Sequence, residues 1–128
     1  MHDLYISRLI AQEVIKRAKR EGASRVLEVR IKIGNFTHLN PEQLDFWLKE
    51  FFRSTLAQEA KILIKKVPTI ILCRKCGYKS KLENADVYFP YFSLPFLQCP
   101  HCGSNNTEII SGKECLLERI KIEKRDKG

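Results

Sequence analysis

Four cysteines carry the most explicit chemistry in this chain. Cys73-Arg74-Lys75-Cys76-Gly77 and Cys99-Pro100-His101-Cys102-Gly103 are two matching knuckles, with 22 residues between Cys76 and Cys99. Two residues between cysteines let both sulfurs face one point, and the glycine that follows relieves the backbone where it folds back toward the sulfur. Two such pairs offer four thiolates at about 2.3 Å from one zinc ion, with no coordination position left for catalysis. Iron is open to the same ligands, but spacing and softness favour zinc. A redox pair is disfavoured, because there are two matching pairs and no strand–helix thioredoxin pattern precedes them. The prediction is a structural zinc site made by Cys73, Cys76, Cys99 and Cys102. Cys115 is left over and reads as a small buried hydrophobe in a strand. His101 should point into water, and His38 reads as a solvated loop histidine.

A second metal chemistry sits at the start of the sequence, Met1-His2-Asp3. A bulky histidine at position 2 should hinder removal of Met1. The Met1 amine, the His2 amide nitrogen and the His2 ring nitrogen could then close adjacent small chelate rings on one ion. Nickel accepts such nitrogen-rich sets. Both the amine and the imidazole must be deprotonated to bind, so affinity should fall in acid. On chemistry alone, an idle and frayed terminal histidine is the ordinary reading.

These groups need elements to hold them. Asp3 can cap a helix running to about Arg20, with Ile6, Ile10, Val14 and Ala18 on one side. Val26 to Ile33 alternates, with Leu27, Val29, Ile31 and Ile33 on one face, and predicts a half-buried strand. Asn40 is an N-cap with Pro41 at the first helical position and Gln43 completing a capping box. Leu39 and Leu44 are spaced for a hydrophobic staple, and Leu44, Trp47, Leu48 and Phe51 form the apolar stripe of the second helix. Lys61 to Val67 and Cys115 to Ile122 read as further strands. The expected fold is α+β: two helices on a three-stranded mixed sheet, with an inserted all-β zinc-ribbon lobe. The expected domains are 1–67 with 113–128, and 68–112.

The formal charge is +8, falling to about +6 once four thiolates hold a divalent ion. The basic residues are dispersed, many alternating with Ile and Leu on strand faces, so no nucleic-acid stripe is evident. No run approaches the roughly 18 apolar residues of a membrane helix, and no export signal opens the chain. A cytoplasmic protein is expected, in which paired cysteines point to metal rather than disulfides.

Taken in order, Met1-His2-Asp3 opening an amphipathic helix, the strand and turn from Val29 to Gly34, Asn40 to Leu44 opening the second helix, the two knuckles, and the tail from Gly112 to Ile122 resemble the HypA/HybF family. The resemblance covers essentially the whole chain, and its specificity lies in the combination. It implies a non-enzymatic nickel metallochaperone for [NiFe]-hydrogenase maturation. It implies Ni(II) cargo at Met1, His2 and Asp3, through the Met1 amine, His2 and nearby backbone amides, with Zn(II) structural in the ribbon. It also implies two partners, the nucleotide-hydrolysing protein HypB and the hydrogenase large subunit. The family usually has glutamate at position 3, where this chain has Asp3, a side chain one carbon shorter.

The insert between the knuckles carries an aromatic run, Tyr88 to Leu97. It either covers the ribbon's own sheet and zinc shell or forms an interface, to a target enzyme or to a second copy in a homodimer. A zinc-ribbon nucleic-acid-binding protein is the functional alternative, resting on positive charge and on aromatics that could stack bases. A hydrolytic metalloenzyme would need an open metal position and a paired general base, and neither is evident.

Overall fold

The computed structural model describes residues 2–82 and 98–124. Its elements are helix α1 (His2–Arg20), strand β1 (Ala23–Gly34), a short 3-10 turn (Asn35–Thr37), helix α2 (Pro41–Phe52), and strands β2 (Lys61–Val67), β3 (Thr69–Cys73), β4 (Lys79–Leu82), β5 (Thr107–Ser111) and β6 (Cys115–Lys124). One sheet is three-stranded and mixed, in the order β2-β1-β6; the other has the order β4-β3-β5 and both of its pairs are antiparallel. The α+β class follows. The chain divides into two compact units: Met1–Lys32, Leu39–Lys65 and Leu116–Gly128 make the first, and Ile33–His38 with Lys66–Cys115 make the second. Met1 and the aromatic run Tyr88 to Leu97 lie outside the described residues.

In the first unit, α1 buries Ser7, Ile10, Ala11, Val14 and Ala18, the three-and-four spacing of a helix with one dry face. Arg17, Lys19 and Arg20 occupy its last turn, where the dipole favours cations. Helix α2 starts at its expected N-cap, although the Asn40 amide is met by Asp3 and not by Gln43 of the expected capping box. Asn40 adopts an extended backbone, and its side chain accepts from the amides of Glu42 at 2.8 Å and Gln43 at 3.1 Å. Leu39 and Leu44, the expected staple pair, are both buried.

Three further details depart from expectation. Helix α1 begins at His2, so Asp3 lies in its first turn and does not cap it. The buried line of α2 is Leu44, Leu48 and Phe52. Trp47 and Phe51 are only half-buried at its border, their rings 6.5 Å apart. In β1, Val29, Ile31 and Ile33 are buried as expected, but Val26 replaces Leu27 inside. The Val26 amide there donates to the Leu56 carbonyl at 2.8 Å, and the alternation shifts by one residue.

The second unit contains a backbone crossing with no room for side chains. The Gly34 amide donates to the Glu114 carbonyl at 2.8 Å, and the Phe36 amide to the Gly112 carbonyl at 2.9 Å. A β-carbon at Gly34 would sit 2.1 Å from the Gly112 oxygen. Gly112 has φ +82° and lies where a β-carbon would meet the Pro68 oxygen at 2.5 Å. Next to this crossing Thr69 is fully buried and its hydroxyl oxygen has no hydrogen-bond partner.

Two substitutions test this crossing. Gly112→Ala combines a steric clash with left-handed strain and should destabilise the second unit by about 2–4 kcal/mol. Thr69→Val keeps the shape and removes a buried, unpartnered hydroxyl, so it should stabilise by about 1 kcal/mol. Denaturant unfolding of the metal-loaded chain measures both; a neutral Gly112→Ala would contradict the packing described.

Candidate metal centre

The two knuckles are built alike, bond for bond. Strand β3 delivers Cys73, whose amide donates to the Tyr78 carbonyl at 2.9 Å while its carbonyl accepts from Gly77 at 2.8 Å. The Cys99 amide donates to the Ser104 carbonyl at 2.9 Å, and its carbonyl accepts from Gly103 at 2.8 Å. Gly77 and Gly103 take φ of +79° and +76° with open space beside them, the conformation that lets each loop close without strain. Arg74 anchors the first knuckle further: its amide meets the Asn106 carbonyl and its guanidinium pairs with Glu108.

These loops bring together the four predicted sulfurs. All four lie within 4.8 Å of one another. Cys73 and Cys102 are separated by 3.6 Å, and Cys76 and Cys99 by 3.7 Å, each pair joining the two knuckles. A tetrahedron with metal–sulfur bonds of about 2.3 Å has edges of about 3.8 Å, so the donor set fits a zinc-sized ion. Cys73 and Cys99 are buried while Cys76 and Cys102 are exposed.

Electrostatics points the same way. The Cys76 amide donates to the Cys73 sulfur at 3.4 Å, and such donors bring Cys73 down to about 6. Burial opposes ionisation of Cys99, but the amides of Cys102 and His101, each at 3.4 Å, pull it below the usual thiol range. Cys76 behaves oppositely: the Tyr78 amide lowers it, but burial and the three neighbouring sulfurs push it up to about 12. Sulfurs this close cannot all carry negative charge without a cation among them.

His101 is exposed but does not turn into open water as expected. Its ring stacks on Tyr78, 5.2 Å between centroids and 19° between planes. No sequence signal pairs them, since they come from different knuckles. Cys115 is half-buried, and burial pushes its thiol up, which keeps it protonated and inert. His38 is exposed at the end of the 3-10 turn. Among the residues expected at the nickel site, His2 is exposed as the first residue of α1, and Asp3 is partly exposed and accepts from the Asn40 amide at 3.0 Å. That contact joins residues 37 apart, and sequence reading missed it.

A small α+β unit interrupted in sequence by a ribbon with a four-sulfur cluster defines a metal-binding accessory protein. The chain belongs to the HypA family, whose model, described as hydrogenase/urease nickel incorporation metallochaperone, matches residues 1–122. It is 37% identical over 126 residues to the hydrogenase maturation factor HypA of Methanothermobacter thermautotrophicus, covering 98% of this chain and 100% of that one. To the factor of the same name from Pyrococcus horikoshii it is 31% identical over 135 residues, covering 97% of each. In fold it is similar to the solution structure of the Ni metallochaperone HypA from Helicobacter pylori, with a TM-score of 0.65, 18% identity, and 96% and 98% of the two chains covered. The family is one of nickel metallochaperones for hydrogenase maturation, not of catalytic enzymes. These likenesses do not favour the nucleic-acid alternative. No described helix is long and apolar enough to cross a membrane.

Serine at Cys73 or Cys99 should lower affinity for a tetrahedral divalent metal by roughly two orders of magnitude or more and uncouple unfolding of the second unit from metal. Competition with a chromophoric chelator reads the affinity. Unaltered binding in both variants would rule out the four-sulfur site.

Proposed function

We propose that this chain is a non-enzymatic nickel carrier for [NiFe]-hydrogenase maturation, with Ni(II) as cargo at its amino-terminal tip and structural Zn(II) at Cys73, Cys76, Cys99 and Cys102. The observation that carries the reading is the family match over residues 1–122, together with an exposed His2 opening α1. The nickel donors in this reading are the Met1 amine, His2 and the backbone amide of Asp3. The first four amides of a helix have no intrahelical acceptor, so a metal that uses nitrogens there costs no helix hydrogen bond. The positive end of the helix dipole opposes a bound cation. That opposition moderates affinity and suits cargo that must be released.

The four thiolates would supply the opposite service, a closed shell that shapes its own unit and offers no site for reaction. HypB and the hydrogenase large subunit are the proposed partners, and the cytoplasm is the proposed compartment. The nickel-binding function belongs to the first unit, which contains α1, and the zinc ribbon to the second.

Nickel titration of three zinc-loaded proteins tests the site: the native chain, His2→Ala, and a chain with residues added before Met1. The extension keeps every side chain and removes only the free amine. Both altered proteins should lose roughly 100-fold or more in affinity, and native affinity should fall steadily as pH drops, because both donors must lose protons. Equal binding by all three, or a flat pH profile, would exclude this ligand set.

A further inference from the structure

We propose that the Asp3 carboxylate is a positioning clasp and not a metal ligand: it fastens the first turn of α1 to the first turn of α2 and so fixes where the chelating tip stands. The proposal rests on the nickel-carriage reading above and assigns one side chain's part in it.

Asp3 is gripped at two points. Its Oδ1 accepts the Asn40 amide at 3.0 Å. Its main-chain carbonyl accepts the Ser7 hydroxyl at 2.6 Å, and Ser7 is fully buried in the face that α1 turns to the core. Asn40 is itself immobilised, because its side-chain oxygen receives the Glu42 and Gln43 amides at 2.8 and 3.1 Å. A capping box would have met the Asn40 amide from within α2, through Gln43. Asp3, from the other helix, meets it instead. The link therefore runs from a buried hydroxyl, through Asp3, to a capped helix start.

This arrangement has a direct consequence for metal binding. A terminal turn ordinarily frays, and donors that must be ordered when the ion arrives bind it more weakly than donors already in place. Holding Asp3 holds the residue before it, His2, at a set point on the first unit. A carboxylate engaged by the Asn40 amide leaves the tip's nitrogens, including the Asp3 amide, as the available donors. Aspartate's short side chain also has fewer rotatable bonds to freeze than glutamate's, which suits a fixed tether.

The test uses the full, zinc-loaded chain with a free Met1 amine, and two variants, Asp3→Ala and Asp3→Asn. Nickel chloride titration gives affinity, the visible absorption of bound nickel gives the ligand set, and amide hydrogen exchange at Asn40 without nickel gives the clasp itself. Asp3→Ala should weaken nickel binding roughly 3- to 10-fold, the equivalent of one hydrogen bond, with an unchanged spectrum and faster exchange at Asn40. Asp3→Asn still presents an acceptor oxygen and should stay within about threefold of native, with native-like exchange and spectrum. A changed spectrum in Asp3→Asn, or a loss as large as that of Asp3→Ala, would make the carboxylate a ligand and overturn the proposal. Asp3→Ala matching the native chain in both affinity and exchange would also overturn it. A native chain that binds no nickel would instead retire the carriage reading, while the exchange comparison still decides whether Asp3 clasps Asn40.

Discussion

Four sulfur atoms within 4.8 Å of one another can share that space as thiolates only around a cation, and the second unit depends on that constraint. Its apolar interior, as far as the described residues make it, is thin. Among its described residues, the buried apolar side chains are Ile33, Ile71, Cys73 and Cys99, and two of these belong to the sulfur cluster. A unit of this size cannot rely on hydrophobic burial alone. Metal–thiolate bonds at the four sulfurs would add to this described interior. The paired loop bonds around Cys73 and Cys99, the left-handed glycines and the amide donors to sulfur all serve to make that one centre.

The first unit is held by ordinary means. Val14, Ala18, Val29, Leu44, Leu48 and Phe52 are buried to 1% exposure or less, enough to keep two helices and the sheet together with no ion. Its polar links, such as the bidentate Arg25–Glu123 pair at 3.1 and 3.2 Å, lie at the surface and contribute little. The first unit thus rests on apolar packing and needs no ion among its described contacts.

What the sequence made legible was local. Asn40 with Pro41 announces α2 because capping acts over three residues, and each knuckle is readable because its sulfurs are three positions apart. What it concealed depends on chain meeting chain. The Asp3–Asn40 link and the Tyr78–His101 stack join residues far apart, and no local pattern encodes either. Periodicity also misled where neighbours compete. Phe51 and Phe52 are equally apolar, and only packing put Phe52 inside. Leu27 yielded to Val26, whose amide meets the Leu56 carbonyl, a partner that the alternation of β1 could not reveal.

The sulfur cage has a dry side and a wet side. Cys73 and Cys99 are covered, while Cys76 and Cys102 face solvent, and each near-contact pairs one covered sulfur with one open one. Peroxide, or a competing chelator, therefore meets the cage first at its outer sulfurs, one from each loop. An ion held there would be reached from water through Cys76 and Cys102, with Cys73 and Cys99 on the covered side.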